Sequence, residues 1–243
     1  MNHDCNTTAA EPDCGTDTAR HPARLHTPSA DASNAARTGP ARSASEGVIR
    51  FGYRMTRLAP QDVPPLAAFR SAHRRGLALG LLGRAPQRYD GLAFGNLSLR
   101  AAQGFWVTAS QRIDAPELEA ADLVLVTAVS DSGQVLCRGE RPPSSETLTH
   151  AAVQFRARGD SLAVFHGHSP SLWRRPAADW SRSPPEAANG TRAMADAVSD
   201  AVAAAPQRGV LTMRGHEDGI LAWAEDFTTI VDVLAAALAQ HRA

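Results

Sequence analysis

The chain has 243 residues, 25 basic and 25 acidic side chains, and a pI near 7.1. This balance gives no reason to expect a nucleic acid or an anionic membrane surface as a partner. No apolar stretch approaches the roughly 20 residues that cross a bilayer. Residues Met1 to Arg20 lack the basic start and apolar centre of a secretion signal. We therefore expect a soluble, cytoplasmic protein.

Every basic residue other than histidine is arginine, and the chain contains no lysine. A lysine Schiff base, a lysine-anchored pyridoxal phosphate and a P-loop lysine are therefore excluded. The cysteines Cys5, Cys14 and Cys137 are too few and too scattered for a disulfide framework. An enzyme of this composition would need a metal or an oxyanion hole to stabilise charge beside a carbonyl.

Residues 1–46 contain no aromatic residue and almost no large aliphatic one. Such a segment cannot bury enough apolar surface to offset its ordering entropy, so we predict a disordered tail. A single α/β domain with a central sheet is predicted for residues 47–243. It begins with a weak edge strand, Val48 to Met55, and a helix over Gln61 to Gly83 with prolines in its first turn.

The remaining elements follow in order. Four strands come first: Ala93 to Arg100, Phe105 to Ala109, Leu123 to Val129 and Gln134 to Arg138. Next come a helix from Ser144 or Ser145 to about Ala157, a strand over Leu162 to His168, and a loop over residues 169–190. The last elements are a helix over Thr191 to Ala204, strands over Val210 to Met213 and Ile220 to Trp223, and a helix from about Glu225 to Gln240.

Two histidines, His166 and His168, end the strand that follows the apolar run from Leu162. Because side chains of a strand alternate, both imidazoles face the same side. His216 follows a second apolar strand, and Glu146 begins the preceding helix. Three imidazoles leave a fourth coordination position open, which is typical of a catalytic zinc site. The pattern therefore predicts a metal-dependent enzyme.

Five short motifs follow one another between about residues 66 and 240. They are Gly95-Asn96-Leu97-Ser98, Thr108-Ala109-Ser110, Pro143-Ser144-Ser145-Glu146, His166-Gly167-His168 and His216. In this order, with a helix before the paired histidines, they resemble the class II aldolase/adducin family. Its members include sugar-phosphate aldolases, epimerases and a dehydratase.

The resemblance implies an α/β/α three-layer fold around a largely antiparallel sheet. It implies zinc or another divalent metal on His166, His168 and His216, with Glu146 as the acid/base. A small sugar or hydroxy-carbonyl substrate would undergo aldol cleavage through a metal-stabilised enediolate in a homotetramer. The remaining motif residues would bind the substrate or its phosphate: Gly95, Asn96, Thr108, Ser110, Ser144 and Ser145.

The chain departs from the family pattern at several positions. Gln111 stands where a glycine is common, and neither Tyr53 nor Tyr89 matches the segment that supplies an acidic tyrosine in the aldolases. Glu217 and Asp218 are interpreted as solvated turn residues. Two alternatives stay open: dehydration or epimerisation at the same site, and an adducin-like assembly module without chemistry.

Overall fold

The computed structural model describes residues 37–39, 47–159 and 162–241. Of the tail predicted over residues 1–46, only 37–39 are described, and they form a short strand that pairs with Tyr53–Thr56. The rest of that segment lies outside the described residues, so its disorder stays a prediction.

Twelve strands and five helices are found in the described residues. The strands are β1 Arg37–Gly39, β2 Tyr53–Thr56, β3 Gly83–Arg84, β4 Ala93–Phe94, β5 Asn96–Ala101, β6 Gly104–Thr108, β7 Leu123–Val129, β8 Val135–Arg138, β9 Ala163–His168, β10 Ser181–Arg182, β11 Gly209–Thr212 and β12 Gly219–Ala224. The helices are α1 Leu66–Ala78, α2 Thr147–Gln154, α3 Pro170–Arg174, α4 Arg192–Ala204 and α5 Phe227–Gln240.

Ten of these strands form one sheet in the order β1-β2-β8-β7-β6-β5-β9-β12-β11-β10, and β3 pairs separately with β4. Strands β2 and β8 run parallel, as do β10 and β11. The other seven pairings of the described sheet are antiparallel. The largely antiparallel sheet expected from the sequence is thus found only in part, because the sheet is mixed and includes two parallel pairings. The parallel pairs arise because β2 and β10 each join the sheet beside a strand that is distant in sequence.

Helices cover both faces of the sheet, as predicted. On one face α1 and α5 enclose a core that includes Phe69, Phe165 and Ile230. On the other face α2 and α4 pack against each other and cover Val164 and Trp223. In this three-layer arrangement α2 packs against β9, and the end of that strand is buried.

Most predicted elements are confirmed to within a few residues. Helix α1 is shorter than the predicted helix, because Pro64 and Pro65 precede it and Gly80, at φ 70°, follows its last turn. The predicted loop over residues 169–190 contains α3 and β10, so it is partly regular. Thr191 caps α4 through its side chain, which accepts a hydrogen bond from the Met194 amide. Within the described part of the chain, no helix is long and apolar enough to span a membrane.

Candidate metal centre

Strand β9 directs His166 and His168 to one face of the sheet. Its side chains alternate, so Phe165 enters the core beneath α1 and α5 while Val164 packs on the α2 and α4 side. His166 and His168 share the side of Val164, and both are fully buried. The shared face predicted from the strand period is confirmed.

Gly167 separates the two histidines because the backbone of Leu81 approaches it closely. The Leu81 carbonyl oxygen accepts a hydrogen bond of 2.9 Å from the His168 amide. A Cβ atom at position 167 would lie 2.8 Å from that oxygen and 2.7 Å from Phe165. Only glycine fits there without displacing neighbouring atoms.

The third histidine, His216, lies on the turn between β11 and β12. That turn is closed by hydrogen bonds from the His216 amide to Met213 and from the Gly219 amide to His216. Gly219 is the register partner of His168. A Cβ atom at position 219 would lie 3.0 Å from His216 Cγ, so the missing side chain gives the imidazole its room.

The three imidazoles converge on one point. Their candidate ligand nitrogens all lie within 4.8 Å of one another, and the Nε2 atoms of His166 and His168 are 3.2 Å apart. Two nitrogens bound to one tetrahedral zinc at its usual bond length would be about 3.3 Å apart. The spacing of this pair therefore suits two ligands of a single small cation.

Burial also gives His166 and His168 the charge state that a metal requires. It lowers the pKa of each well below the ordinary value, and the neighbouring His216 lowers both further. Neutral imidazole is the metal-binding form. The Nδ1 of His166 lies 3.2 Å from the Ile220 carbonyl oxygen and donates to it, which leaves Nε2 as the coordinating atom.

Glu146 lies at the N-terminal cap of α2 and is fully buried beside this cluster. Its Oε1 is 3.9 Å from His216 Nδ1, and its Oε2 accepts a hydrogen bond of 2.7 Å from the Thr149 hydroxyl. One oxygen is thus held by the helix, while the other faces the histidines. The structure brings together the glutamate and the three histidines that the sequence singles out.

Asn96 joins the same site from β5, where it is the register partner of His166. Its Oδ1 lies 2.6 Å from His150 Nε2, and His150 Nδ1 lies 2.7 Å from the Ser98 hydroxyl. Gln154 donates to that hydroxyl at 2.9 Å. Burial lowers the pKa of His150 to about 3, so it is neutral and donates from one nitrogen only.

These contacts fix the direction of every hydrogen bond in the network. Because the Asn96 amide oxygen can only accept, His150 Nε2 donates to it; Nδ1 of the neutral ring is then an acceptor, and the Ser98 hydroxyl donates to it. The Asn96 amide is thereby oriented, with its nitrogen as the end that can donate to a ligand.

The other predicted substrate residues lie on adjoining segments. Ala109 bridges Pro143, and the Ser110 amide donates to the Pro142 carbonyl at 2.9 Å, so the second and third motifs lie side by side. Ser144 and Ser145 are buried just before α2. The Thr108 hydroxyl accepts a hydrogen bond of 3.1 Å from the Leu97 amide. Gly95, with φ 86°, precedes Asn96 and packs against the His166 carbonyl oxygen.

Gln111 occupies the glycine-like position without losing the glycine-like backbone. Its φ is 58°, in the left-handed region that glycine favours. Its side-chain amide makes two hydrogen bonds with the backbone of Ala93, at 2.9 and 3.0 Å. Gln111 therefore links the turn after β6 to β4 at Ala93, which lies two residues before Gly95.

Three residues near the histidines were not identified from the sequence as parts of the site. Tyr89 contacts His168, with ring centroids 4.6 Å apart. Arg88 and Tyr89 both bond Asp218, which is buried rather than solvated as expected; Glu217 is exposed. The short polar run that ends in Asp90 and Gly91 indicates a turn, and nothing in it points to the distant histidines.

The fold and this site define a three-layer α/β protein with a buried three-histidine cluster. Residues 66–173 match the family model for the Class II Aldolase and Adducin N-terminal domain. This segment, which is less than half of the chain, is similar to the N-terminal domain of the class II aldolase/adducin family. His216 lies outside the matched residues, so its place in the cluster comes from the structure.

Two solved structures are similar to this chain. One is the l-fuculose-1-phosphate aldolase from Thermus thermophilus, at 22% identity and a TM-score of 0.51, over 73% of this chain and 93% of that chain. The other is YgbL from Klebsiella pneumoniae, a proposed aldolase/epimerase/decarboxylase, at 16% identity and a TM-score of 0.47, over 72% and 87%. A search of curated protein sequences found no match.

Proposed function

We propose that this protein is a metal-dependent lyase that cleaves a small sugar or hydroxy-carbonyl compound by an aldol reaction. The observation that supports this most strongly is the buried cluster of three convergent histidines with Glu146 Oε1 3.9 Å from His216. Zinc or another divalent ion held by His166, His168 and His216 would polarise a substrate carbonyl and stabilise the negative charge that develops on its oxygen.

Glu146 is the residue that moves a proton in this proposal. Thr149 fixes Oε2, so Oε1 is the atom directed at the histidine cluster. A buried carboxylate beside a bound substrate can take a proton from a substrate hydroxyl and return it to carbon or oxygen. Because the chain contains no lysine, a Schiff base cannot take the place of the metal in stabilising the carbanion.

Asn96 and the start of α2 are assigned to substrate binding. The hydrogen bond from His150 holds the Asn96 oxygen, so the Asn96 nitrogen is oriented to donate to a substrate oxygen. Ser144 and Ser145 offer hydroxyl and amide donors ahead of α2, where the helix dipole favours an anion. Gly95, Thr108 and Ser110 are assigned to substrate binding as well. The hydrogen-bond donors of this set could bind either a free hydroxyl or a phosphate of the substrate.

Product analysis tests the reaction. The metal-loaded protein is incubated with ketoses, with and without a phosphate, and the products are followed by NMR. Aldol cleavage yields two shorter carbonyl compounds, and Glu146→Gln lowers kcat by about 10²- to 10⁴-fold. Glu140→Gln, which changes an exposed glutamate, serves as the matched control and leaves kcat unchanged.

Other products would redirect the proposal. A product of unchanged carbon number that has lost water or inverted one centre indicates dehydration or epimerisation at the same site. A native protein that binds no metal, even after zinc is supplied, and converts no substrate supports the adducin-like module.

We also propose a cytoplasmic homotetramer whose partner is the small-molecule substrate, with neither nucleic acid nor membrane involved. Light scattering coupled to gel filtration would then give about four times the 25.8 kDa chain mass. A mass of one chain at working concentration would overturn the tetramer.

A further inference from the structure

The segment Tyr89–Gly91 has an unusual backbone next to the histidine cluster. Its three residues have φ values of 53°, 55° and 69°, all in the left-handed region. Tyrosine rarely adopts this region because its Cβ atom crowds the backbone, whereas aspartate and glycine tolerate it. Such conformations persist when surrounding contacts hold them, and they cluster at functional sites. We therefore expect the contacts that hold Tyr89 in this conformation to matter for the histidine cluster.

The Tyr89 ring packs directly on a predicted metal ligand. It meets the His168 ring edge to face, with centroids 4.6 Å apart and an angle of 77° between the planes. Phe94 contacts both rings, at 5.1 Å from Tyr89 and 5.4 Å from His168. The two aromatic side chains together restrict the plane in which the His168 imidazole lies.

The Tyr89 hydroxyl reaches the turn that carries another ligand. It donates a hydrogen bond of 2.8 Å to Asp218 Oδ2, two residues after His216. Arg88 donates to the same oxygen at 2.6 Å and lies 4.6 Å from the Tyr89 ring centroid. The buried Asp218 also accepts a backbone hydrogen bond of 2.8 Å from Ser169, which follows His168.

We propose that Tyr89 is a positioning residue of the metal centre. Its ring fixes the orientation of His168, and its hydroxyl, through Asp218, fixes the turn that carries His216. Tyr89 lies 129 residues before Asp218 in the sequence, yet this one side chain fixes the positions of two of the three ligands relative to each other. This inference rests on the proposed metal site but not on the identity of the reaction.

Metal affinity separates the two contributions of Tyr89. Zinc and cobalt dissociation constants are measured by competition with a chromophoric chelator for the wild type, Tyr89→Phe and Tyr89→Leu. Loss of the hydroxyl alone weakens metal binding by about 10-fold, as expected for a residue that orients a ligand, and loss of ring and hydroxyl weakens it further. Asp218→Asn resembles Tyr89→Phe.

Tyr53→Phe is the matched control, because it removes the chain's other tyrosine hydroxyl, on β2, five positions from β9 in the sheet. It keeps wild-type affinity. The visible absorption of the cobalt-loaded protein gives a second readout, since it reports ligand geometry: it changes in Tyr89→Phe and not in Tyr53→Phe. Circular dichroism establishes that each variant is folded.

The outcomes are distinguishable. Wild-type affinity and an unchanged cobalt spectrum in both Tyr89 variants would overturn the positioning role while leaving the metal site intact. A wild-type protein that binds no metal would overturn the proposed metal centre itself. If Tyr89→Leu does not fold, Tyr89→Phe still decides the role of the hydroxyl.

Discussion

His150 lies at the centre of a buried hydrogen-bond network in which the donor and the acceptor of each bond are defined. Protonation would put two donors on an imidazole whose Nδ1 must accept from Ser98, and burial opposes the charge. Burial lowers the pKa of His150 to about 3 in the folded chain, against an ordinary 6.5. The residue's neutral form is thus part of what orients Asn96.

Acid should destabilise the protein partly through His150. Between pH 6.5 and 3 the unfolded chain binds a proton there that the folded chain does not, so the free energy of unfolding falls as the pH falls. The contribution is about 1.4 kcal/mol per pH unit, or about 2 kcal/mol between pH 6.5 and 5. Urea unfolding at several pH values measures it.

His150→Gln provides the comparison, because its amide can still donate to Asn96 but takes up no proton. Its unfolding free energy should fall less steeply than that of the wild type between pH 6.5 and 5. Parallel pH dependences for the two proteins would contradict the assignment of a buried neutral imidazole.

At the scale of the elements, the site depends on two glycines that let neighbouring segments approach β9. Gly167→Ala would place a methyl group 2.8 Å from the backbone oxygen of Leu81, which cannot move as freely as a side chain. We expect a loss of about 1–3 kcal/mol in the free energy of unfolding, as for an overpacked core. Urea unfolding of the metal-free protein measures it, and wild-type stability in Gly167→Ala would contradict the close approach.

Gly219→Ala should act on the metal rather than on the fold. Its added methyl group would meet the His216 side chain at 3.0 to 3.2 Å, so the imidazole must shift by a few tenths of an ångström. We expect weaker zinc binding with nearly unchanged stability of the metal-free protein. Equal zinc affinity in variant and wild type, measured by chelator competition, would count against a ligand role for His216.

Elements that are encoded locally were predictable, and contacts between distant segments were not. The two-residue period of β9 was enough to place His166 and His168 on one face. Tyr89 and Asp218 are 129 residues apart in sequence, and only the assembled sheet makes them neighbours. Asp218 was interpreted as solvated because a turn is usually exposed, whereas here its carboxylate is covered by Arg88 and Tyr89.

The topology was harder to predict than the elements. Alternating patterns reveal strands but not their partners, so the parallel pairing of β2 with β8 and of β10 with β11 could not be read from them. The candidate site was predictable because its residues occur in compact motifs. The orientation of Asn96 by His150 required the packing of α2 on β5.

For the molecule as a whole, the histidine cluster should couple metal binding to stability. The three ligands come from β9 and the turn before β12, so a bound ion would link segments that separate on unfolding. At 100 times the dissociation constant, a ligand that binds only the folded state adds about 2.7 kcal/mol. For a chain of this size that corresponds to a rise in Tm of about 5–10 °C.

Differential scanning calorimetry with and without zinc, after removal of metal by a chelator, measures this coupling. The rise should disappear in His166→Ala. An equal rise in the variant would indicate that zinc stabilises the protein at another site.

The central claim is that His166, His168 and His216 hold one metal ion, and elemental mass spectrometry of the purified protein tests it most directly. The account predicts about one zinc or similar divalent ion per chain in the native protein and close to none in a His166→Ala, His168→Ala variant that remains folded. A native protein that contains no metal even after zinc is supplied, or a variant that retains it in full, would contradict the account.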